Sequence, residues 1–206
     1  MQAFHNDQKI KDKYLVRVTE HQKADEIIQG KYWEDGKGCA VGCTIHGPDH
    51  RKYETELGIP VWLAHLEDRA FEGLPIKRAK TWPSEFLSAI NVGADLEKIK
   101  APFLIFVLES ALTKFDHKKF PACKSAIDKV MELYKTNGSL EDFNAACAAA
   151  DAAYAARAAR AADAAYAAAC AAADAAYAAA AYAADAAPDA WIKFADKLLE
   201  LIRKEK

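Results

Sequence analysis

The sequence predicts an all-α protein, and three observations lead to this fold class. Apolar residues recur at helical spacing through residues 1–139, in segments that end at glycine or proline. Residues 145–187 contain 31 alanines in 43 positions, and alanine has the highest helix propensity. Alternating strand patterns are scarce, and the best of them, Val16–Thr19, lies within a helical period. We therefore expect an N-terminal multi-helix domain, then a long Ala-rich helix or helical hairpin, then a C-terminal amphipathic helix.

The predicted helices follow one another between turn residues. The first begins after an N-cap at Asn6 or Asp7 and runs to about Gln29, where Gly30 ends it. The next six are expected at Cys39–Ile45, Asp49–Leu57, Val61–Phe71, Pro83–Ile90, Asp95–Leu112 and Ala122–Tyr134. The last follows Pro188, with apolar residues at three- and four-residue spacing at Trp191, Phe194, Leu198 and Ile202. The predicted domains are residues 1–139, 140–187 and 188–206.

Charge and cysteine content exclude several function classes. The 28 basic and 30 acidic residues give a net charge of -2, which argues against general nucleic-acid binding. Five cysteines are an odd number and too few for a disulfide scaffold, so we expect a reducing, cytoplasmic setting. The longest apolar run outside the Ala-rich segment, Ala101–Leu108, is far shorter than the roughly 20 residues of a membrane helix.

The Ala-rich segment has a repeat of its own. Asp163, Asp174 and Asp185 are separated by 11 residues, a spacing that places equivalent residues on nearly the same helix face. One helix through residues 140–186 would be roughly 70 Å long. That length favours close packing within a homo-oligomer, because alanine faces let helix axes approach closely. A hairpin folded on the first domain is the alternative.

The segment Trp33–His50 carries the candidate chemistry. Its Gly36-Lys37-Gly38 turn leads into a short helix, and free N–H groups at such a position can bind anions. The alternative interpretation is a glycine-rich cap whose Cys39 and Cys43 are small buried residues.

Two sharper alternatives use the same segment. The first is a zinc site, because a C-x3-C-x2-H-x3-H pattern is formed by Cys39, Cys43, His46 and His50. A single helix would spread these four residues over roughly 16 Å, which is too far for one zinc ion. The set would therefore hold zinc only if Gly47-Pro48 folds His50 back. Cys39 is also a candidate thiol nucleophile of a hydrolase or transferase. Its candidate bases are His46, His50 and His65, oriented by one of Glu54, Glu56, Glu67 and Asp68.

Four stretches carry a resemblance to a known group of proteins. They are GKGCAVGCTIH at residues 36–46, YETELGIP at 53–60, LEDRAFEGLP at 66–75, and the AAYAAR-type tail. Together they resemble a family of uncharacterised proteins encoded by phages and bacterial genomes. The resemblance implies a phage or prophage accessory protein and carries over no catalytic residue. Such proteins act inside a bacterial cell, and they often bind host macromolecules or sequester small nucleotide signals of antiviral defence.

The leading functional prediction is a non-enzymatic, oligomeric protein that binds a small anionic ligand without a cofactor. Backbone and side chains around the turn would hold negative charge, and tyrosine or tryptophan would stack on a base. The predicted ligand-binding residues of the first site are Tyr32, Trp33, Gly36, Lys37, Gly38, Cys39, His46, His50 and Arg51. A second predicted ligand-binding site, between chains of the oligomer, consists of Tyr154, Arg157, Arg160 and Tyr166. The alternatives are the Cys39 enzyme and an Ala-rich assembly or partner-binding protein.

Overall fold

A computed structural model describes residues 1–113, 121–139, 142, 145–146 and 188–206. Helices predominate in these ranges, which confirms the all-α prediction at the level of fold class. The described helices are α1 Gln8–Lys23, α2 Ala40–Ile45, α3 Lys52–Leu57, α4 Val61–Gly73, α5 Ile76–Ala79, α6 Trp82–Ala89, α7 Lys100–Thr113, α8 Pro121–Thr136 and α9 Pro188–Lys204. A two-stranded antiparallel hairpin is formed by β1 Trp33–Glu34 and β2 Lys37–Gly38, and 3₁₀ turns lie at Ala3–Asn6 and Leu96–Ile99. No described helix is long and apolar enough to cross a membrane.

The chain divides into two compact units whose boundaries differ from the predicted domains. The first unit is Met1–Ile99 together with Pro188–Lys206, and the second is Lys100–Ala187. The C-terminal helix therefore belongs with the N-terminal region. The predicted helix Asp95–Leu112 is divided at the same point into the Leu96–Ile99 turn and α7.

The core of the first unit is built by α1, α2, α4 and α6, with α9 packed against α4 and α6. Its largest fully buried side chains include Trp82, Tyr14, Tyr53, Phe4, Phe71 and Phe86. Helix α9 docks through Trp191, whose ring lies directly over Gly73 at the end of α4. A Cβ atom at Gly73 would stand 1.9 Å from that ring, so glycine is required for this contact. The predicted apolar face of α9 is buried as expected, at Trp191, Phe194, Leu198 and Ile202.

The first helix ends six residues before the predicted position. Helix α1 stops at Lys23, and Asp25 adopts a left-handed backbone. The following loop is held by tertiary contacts: Ile27 is buried, and Nε2 of Gln29 donates to the carbonyls of Phe71, Glu72 and Leu74 at the end of α4. The prediction was wrong because these contacts, distant in sequence, outweigh local helix propensity.

The second unit is described by α7, α8 and a few residues beyond them. Its core consists of Leu108, Val130, Met131 and Ala146, with Ile105, Leu112, Ile127, Leu133 and Tyr134 packed around it. Apart from Ala145 and Ala146, the Ala-rich segment lies outside the described residues. Three statements therefore stay predictions: the 11-residue repeat, the choice between one long helix and a hairpin, and the second predicted ligand-binding site.

Candidate functional site

The glycines of the Trp33–His50 segment allow the hairpin to lie directly on α2. A Cβ atom at Gly38 would stand 2.2 Å from the carbonyl oxygen of Tyr32, and one at Gly42 would stand 1.8 Å from it. Both positions therefore exclude any side chain. This contact fixes the backbone of Tyr32 and Trp33 against the short helix that ends at His46.

The N–H groups of Gly38 and Cys39, where the glycine turn leads into α2, are already paired within the protein. The amide of Gly38 donates to the carbonyl of Glu26 at 3.1 Å, and the amide of Cys39 donates to that of Lys31 at 2.7 Å. They are not free to bind an anion as predicted. Gly36 occupies the tight turn between β1 and β2 with φ 80°, beside the exposed Lys37. The turn therefore fits the alternative interpretation of a structural cap.

The two cysteines are buried parts of this cap. Sγ of Cys39, which is 1% exposed, accepts a hydrogen bond from the amide of Gly42 and so caps α2. Burial, reinforced by the carboxylate of Asp68, raises the pKa of Cys39 well above that of a free thiol. The thiol of Cys43 donates to the carbonyl of Gly38 at 3.3 Å, and burial raises its pKa to about 12. Neither residue has the thiolate character of a nucleophile.

The candidate zinc pattern is divided by the structure. Cys39 and Cys43 are used within the cap, whereas His46 and His50 contact different partners. Among the described residues, no group of three or more histidine, cysteine, aspartate or glutamate side chains has a geometry that could hold a metal ion.

A histidine pair, with His50 buried and His65 exposed, lies beside Tyr32. The rings of His50 and His65 stack at 4.4 Å with an interplanar angle of 11°, and Tyr32 meets His50 edge-on at 5.9 Å. Nε2 of His50 lies 3.4 Å from Oδ2 of Asp68. Burial lowers the pKa of His50, but Asp68 and the Pro48 carbonyl outweigh it and hold the pKa above its ordinary value. Asp68 thus lies next to both His50 and Cys39, so the carboxylate that pairs with the histidine also disfavours ionisation of the thiol.

A fully buried acidic residue, Glu67, directly precedes Asp68 in the sequence. Glu67 has no exposed surface, and the hydroxyl of Tyr53 donates to its Oε2 at 2.6 Å. Burial, with a further contribution from Asp68, raises the pKa of Glu67 well above its ordinary value even though the Tyr53 hydrogen bond acts in the opposite direction. Its carboxyl group belongs to the core.

The second histidine pair is formed by His46 and a residue that sequence reasoning missed, His21. The two Nε2 atoms are 2.8 Å apart, and Nδ1 of His21 lies 2.6 Å from Oε2 of Glu26. Trp33 stacks on His46 with ring centroids 5.0 Å apart and an angle of 15°, and meets His21 edge-on at 5.6 Å. Arg17 lies close by, since its Nη1 donates to the carbonyl of Thr44, two residues before His46. We call Arg17, His21, Glu26, Trp33 and His46 the Trp33–His46 site.

The predicted ligand residues are therefore separated into two groups. Tyr32 and Trp33 are neighbours in sequence, but their side chains contact different histidines. Tyr32 meets His50, while Trp33 meets His46. The guanidinium of Arg51 is paired with Asp49 at 2.9 Å. Tyr154, Arg157, Arg160 and Tyr166 lie outside the described residues.

No family model matches the chain, and neither a curated protein nor a solved structure matches it. A function must therefore be argued from the chemistry of the site itself.

Proposed function

We propose that this chain is a phage-type binding protein for a small anionic ligand with a planar group, and that the ligand docks at the Trp33–His46 site. The observation that carries the proposal is the Trp33 ring stacked on His46, in a part of the chain predicted from sequence to bind such a ligand. Tryptophan faces bind nucleobases because every base offers a flat aromatic surface.

Arg17 supplies positive charge beside the stack. Burial lowers the pKa of His46 most and the charge of Arg17 lowers it further, while Glu26 and Glu56 act in the opposite direction. An anionic group placed beside the His46 ring is attracted by Arg17 and favours protonation of His46. Ligand binding is accordingly expected to strengthen as pH falls through the range in which His46 titrates.

The ligands to test first are nucleotide-derived. Isothermal titration calorimetry should use ADP-ribose, cyclic dinucleotides and adenosine monophosphate, with inorganic phosphate as the probe that lacks a ring. We expect binding of at least one nucleotide and weaker binding of phosphate. A ligand at 100 times its dissociation constant should stabilise the folded chain by about 2.7 kcal/mol. No heat and no thermal shift with any probe at millimolar concentration would contradict the proposal.

A matched pair of tryptophan variants tests the location. Trp33→Ala removes the stack, and base–aromatic stacking is worth about 1–3 kcal/mol, so affinity should fall about 5- to 150-fold. Trp62 is a useful control, because it lies on α4 and its Nε1 donates to Glu97 at 2.9 Å. Trp62→Ala should leave affinity unchanged. Equal losses in the two variants would place the ligand elsewhere.

The Cys39 hydrolase or transferase alternative gains no support, because its thiol is buried with a raised pKa. Oligomerisation through the Ala-rich segment remains part of the proposal. It is tested separately below by measuring mass in solution.

A further inference from the structure

The side chains of Glu26, His21 and His46 form a continuous chain of hydrogen bonds that ends at the protein surface. Oε2 of Glu26 lies 2.6 Å from Nδ1 of His21, and Nε2 of His21 lies 2.8 Å from Nε2 of His46. The His21 side chain is 12% exposed, whereas His46 belongs to the exposed residues. The chain therefore leads from a partly exposed carboxylate, through the shielded imidazole of His21, to the accessible imidazole of His46.

The order of these bonds fixes which ring nitrogens carry protons. A carboxylate only accepts hydrogen bonds, so Nδ1–H of His21 donates to Glu26. In neutral His21 the Nε2 atom must then accept, and its donor is Nε2–H of His46. Nδ1 of His46 is left with a lone pair. Within the described part of the chain this atom has no hydrogen-bond partner, and the Trp33 ring lies parallel to the imidazole rather than across its edge.

The groups around His46 keep its ring neutral. Burial lowers the pKa of His46 most, followed by Arg17 and His21 on α1. Glu26 in the loop after α1 and Glu56 on α3 act in the opposite direction without reversing the shift. At neutral pH the lone pair on Nδ1 is therefore available to accept a proton.

The geometry points to general-base catalysis of ester hydrolysis by the Glu26–His21–His46 relay. Nδ1 of His46 takes a proton from a water molecule while the water oxygen bonds to the carbonyl carbon or phosphorus of the ester. His46 passes its Nε2 proton to Nε2 of His21, and Glu26 stabilises the resulting imidazolium. As the ester bond breaks, the proton returns along the same path and Nδ1–H of His46 protonates the leaving oxygen.

This activity goes beyond ligand binding and can succeed or fail independently of it. Trp33 holds the ring of His46 and takes no part in proton transfer, so loss of nucleotide binding in Trp33→Ala says nothing against the relay. His46 is the catalytic residue here, while His21 and Glu26 are positioning residues that act through it.

The experiment measures hydrolysis of p-nitrophenyl acetate and bis(p-nitrophenyl) phosphate by the full chain, which separates acyl from phosphate esters. The key variant is His46→Gly, because His46 has a left-handed backbone with φ 52° that glycine adopts readily. The variant therefore removes the imidazole without straining the fold. We expect its rate to fall tenfold or more, since general-base catalysis contributes about 10²–10⁴-fold.

The positioning residues separate a relay from an ordinary surface histidine. His21→Asn and Glu26→Gln should lower kcat and leave KM unchanged. Because Glu26 raises the pKa of His46, Glu26→Gln should also move the acidic limb of the kcat profile to lower pH. His65→Gln, which alters the histidine pair beside Tyr32, is the control and should keep the wild-type rate.

Three outcomes would overturn the relay. The first is that wild-type protein hydrolyses neither probe faster than His46→Gly does. The second is loss of activity in His46→Gly while His21→Asn and Glu26→Gln keep it, which would identify an isolated imidazole. The third is loss of activity with EDTA and its recovery with added zinc, which would show that the facing Nε2 atoms bind a metal rather than share a proton.

Discussion

Replacing Gly42 with alanine tests how the Trp33–His46 site is built. A Cβ atom there would stand 1.8 Å from the Tyr32 carbonyl oxygen and 3.5 Å from Cβ of Trp33. The Tyr32 backbone must therefore retreat by about 1.5 Å to reach an ordinary contact distance. Alanine normally stabilises a helix interior over glycine by about 0.5–1 kcal/mol, but overpacking costs about 1–3 kcal/mol. Because a backbone shift of this size puts the overpacking cost near the upper end of its range, we expect the free energy of unfolding to fall by about 2 kcal/mol.

Urea denaturation measures this loss, and a glycine five residues away supplies the control. A Cβ atom at Gly47 would meet no atom within 4 Å, so Gly47→Ala should change stability by less than about 0.5 kcal/mol. The displaced hairpin should also weaken nucleotide binding in Gly42→Ala. If Gly42→Ala is as stable as wild type, or more stable, the close packing of the hairpin on α2 is refuted.

Three further predictions concern the core and the Ala-rich segment. The pKa of Glu67 is raised in the folded state, so wild-type stability should fall as pH rises above about 4.5, by up to about 1.4 kcal/mol per pH unit, until the folded pKa is passed. Glu67→Gln should lack this decline in urea denaturation between pH 4.5 and 8, and parallel curves would contradict the assignment. Cys39 and Cys43 should react with a thiol reagent at pH 8 only in denaturant, because both are buried with raised pKa values. Rapid labelling of either in native protein, read by mass spectrometry, would be inconsistent with the cap. Deleting residues 145–187 should reduce the mass measured by light scattering to that of a monomer, whereas an unchanged oligomer would exclude the Ala-rich segment as its cause.

Helix positions were largely predictable from sequence, because glycine and proline mark their ends locally. Helix α2 starts one residue after the predicted start, with Cys39 as its cap, and α4 and α6 lie within two residues of the predicted ranges. The end of α1 was not predictable, since contacts of Ile27 and Gln29 with distant residues decide it.

The β1–β2 hairpin had a local sequence signal that the prediction of an all-helical domain did not use. Asp35-Gly36 is the dipeptide preferred in two-residue hairpin turns, where both residues need positive φ. Asp35 and Gly36 have φ values of 52° and 80° in the structure. Strands of two residues are too short for an alternating pattern, so this dipeptide was the only local indication of the hairpin.

The candidate site was predictable only in part. Trp33 and His46 stand close together in sequence and were both predicted as ligand residues. His21 and Glu26 carry no motif, and His21 reaches His46 across 25 positions through the packing of α1 on α2. Conversely, the glycine and cysteine residues that suggested chemistry are explained by close packing and capping.

The most direct test of the account is nitrogen NMR of the histidine rings in the full chain between pH 5 and 9. At neutral pH, we predict that His21 carries its proton on Nδ1 and His46 on Nε2. Glu26→Gln should lower the pKa of His46. If His46 instead carries its proton on Nδ1, or if Glu26→Gln leaves the pKa of His46 unchanged, the relay is contradicted.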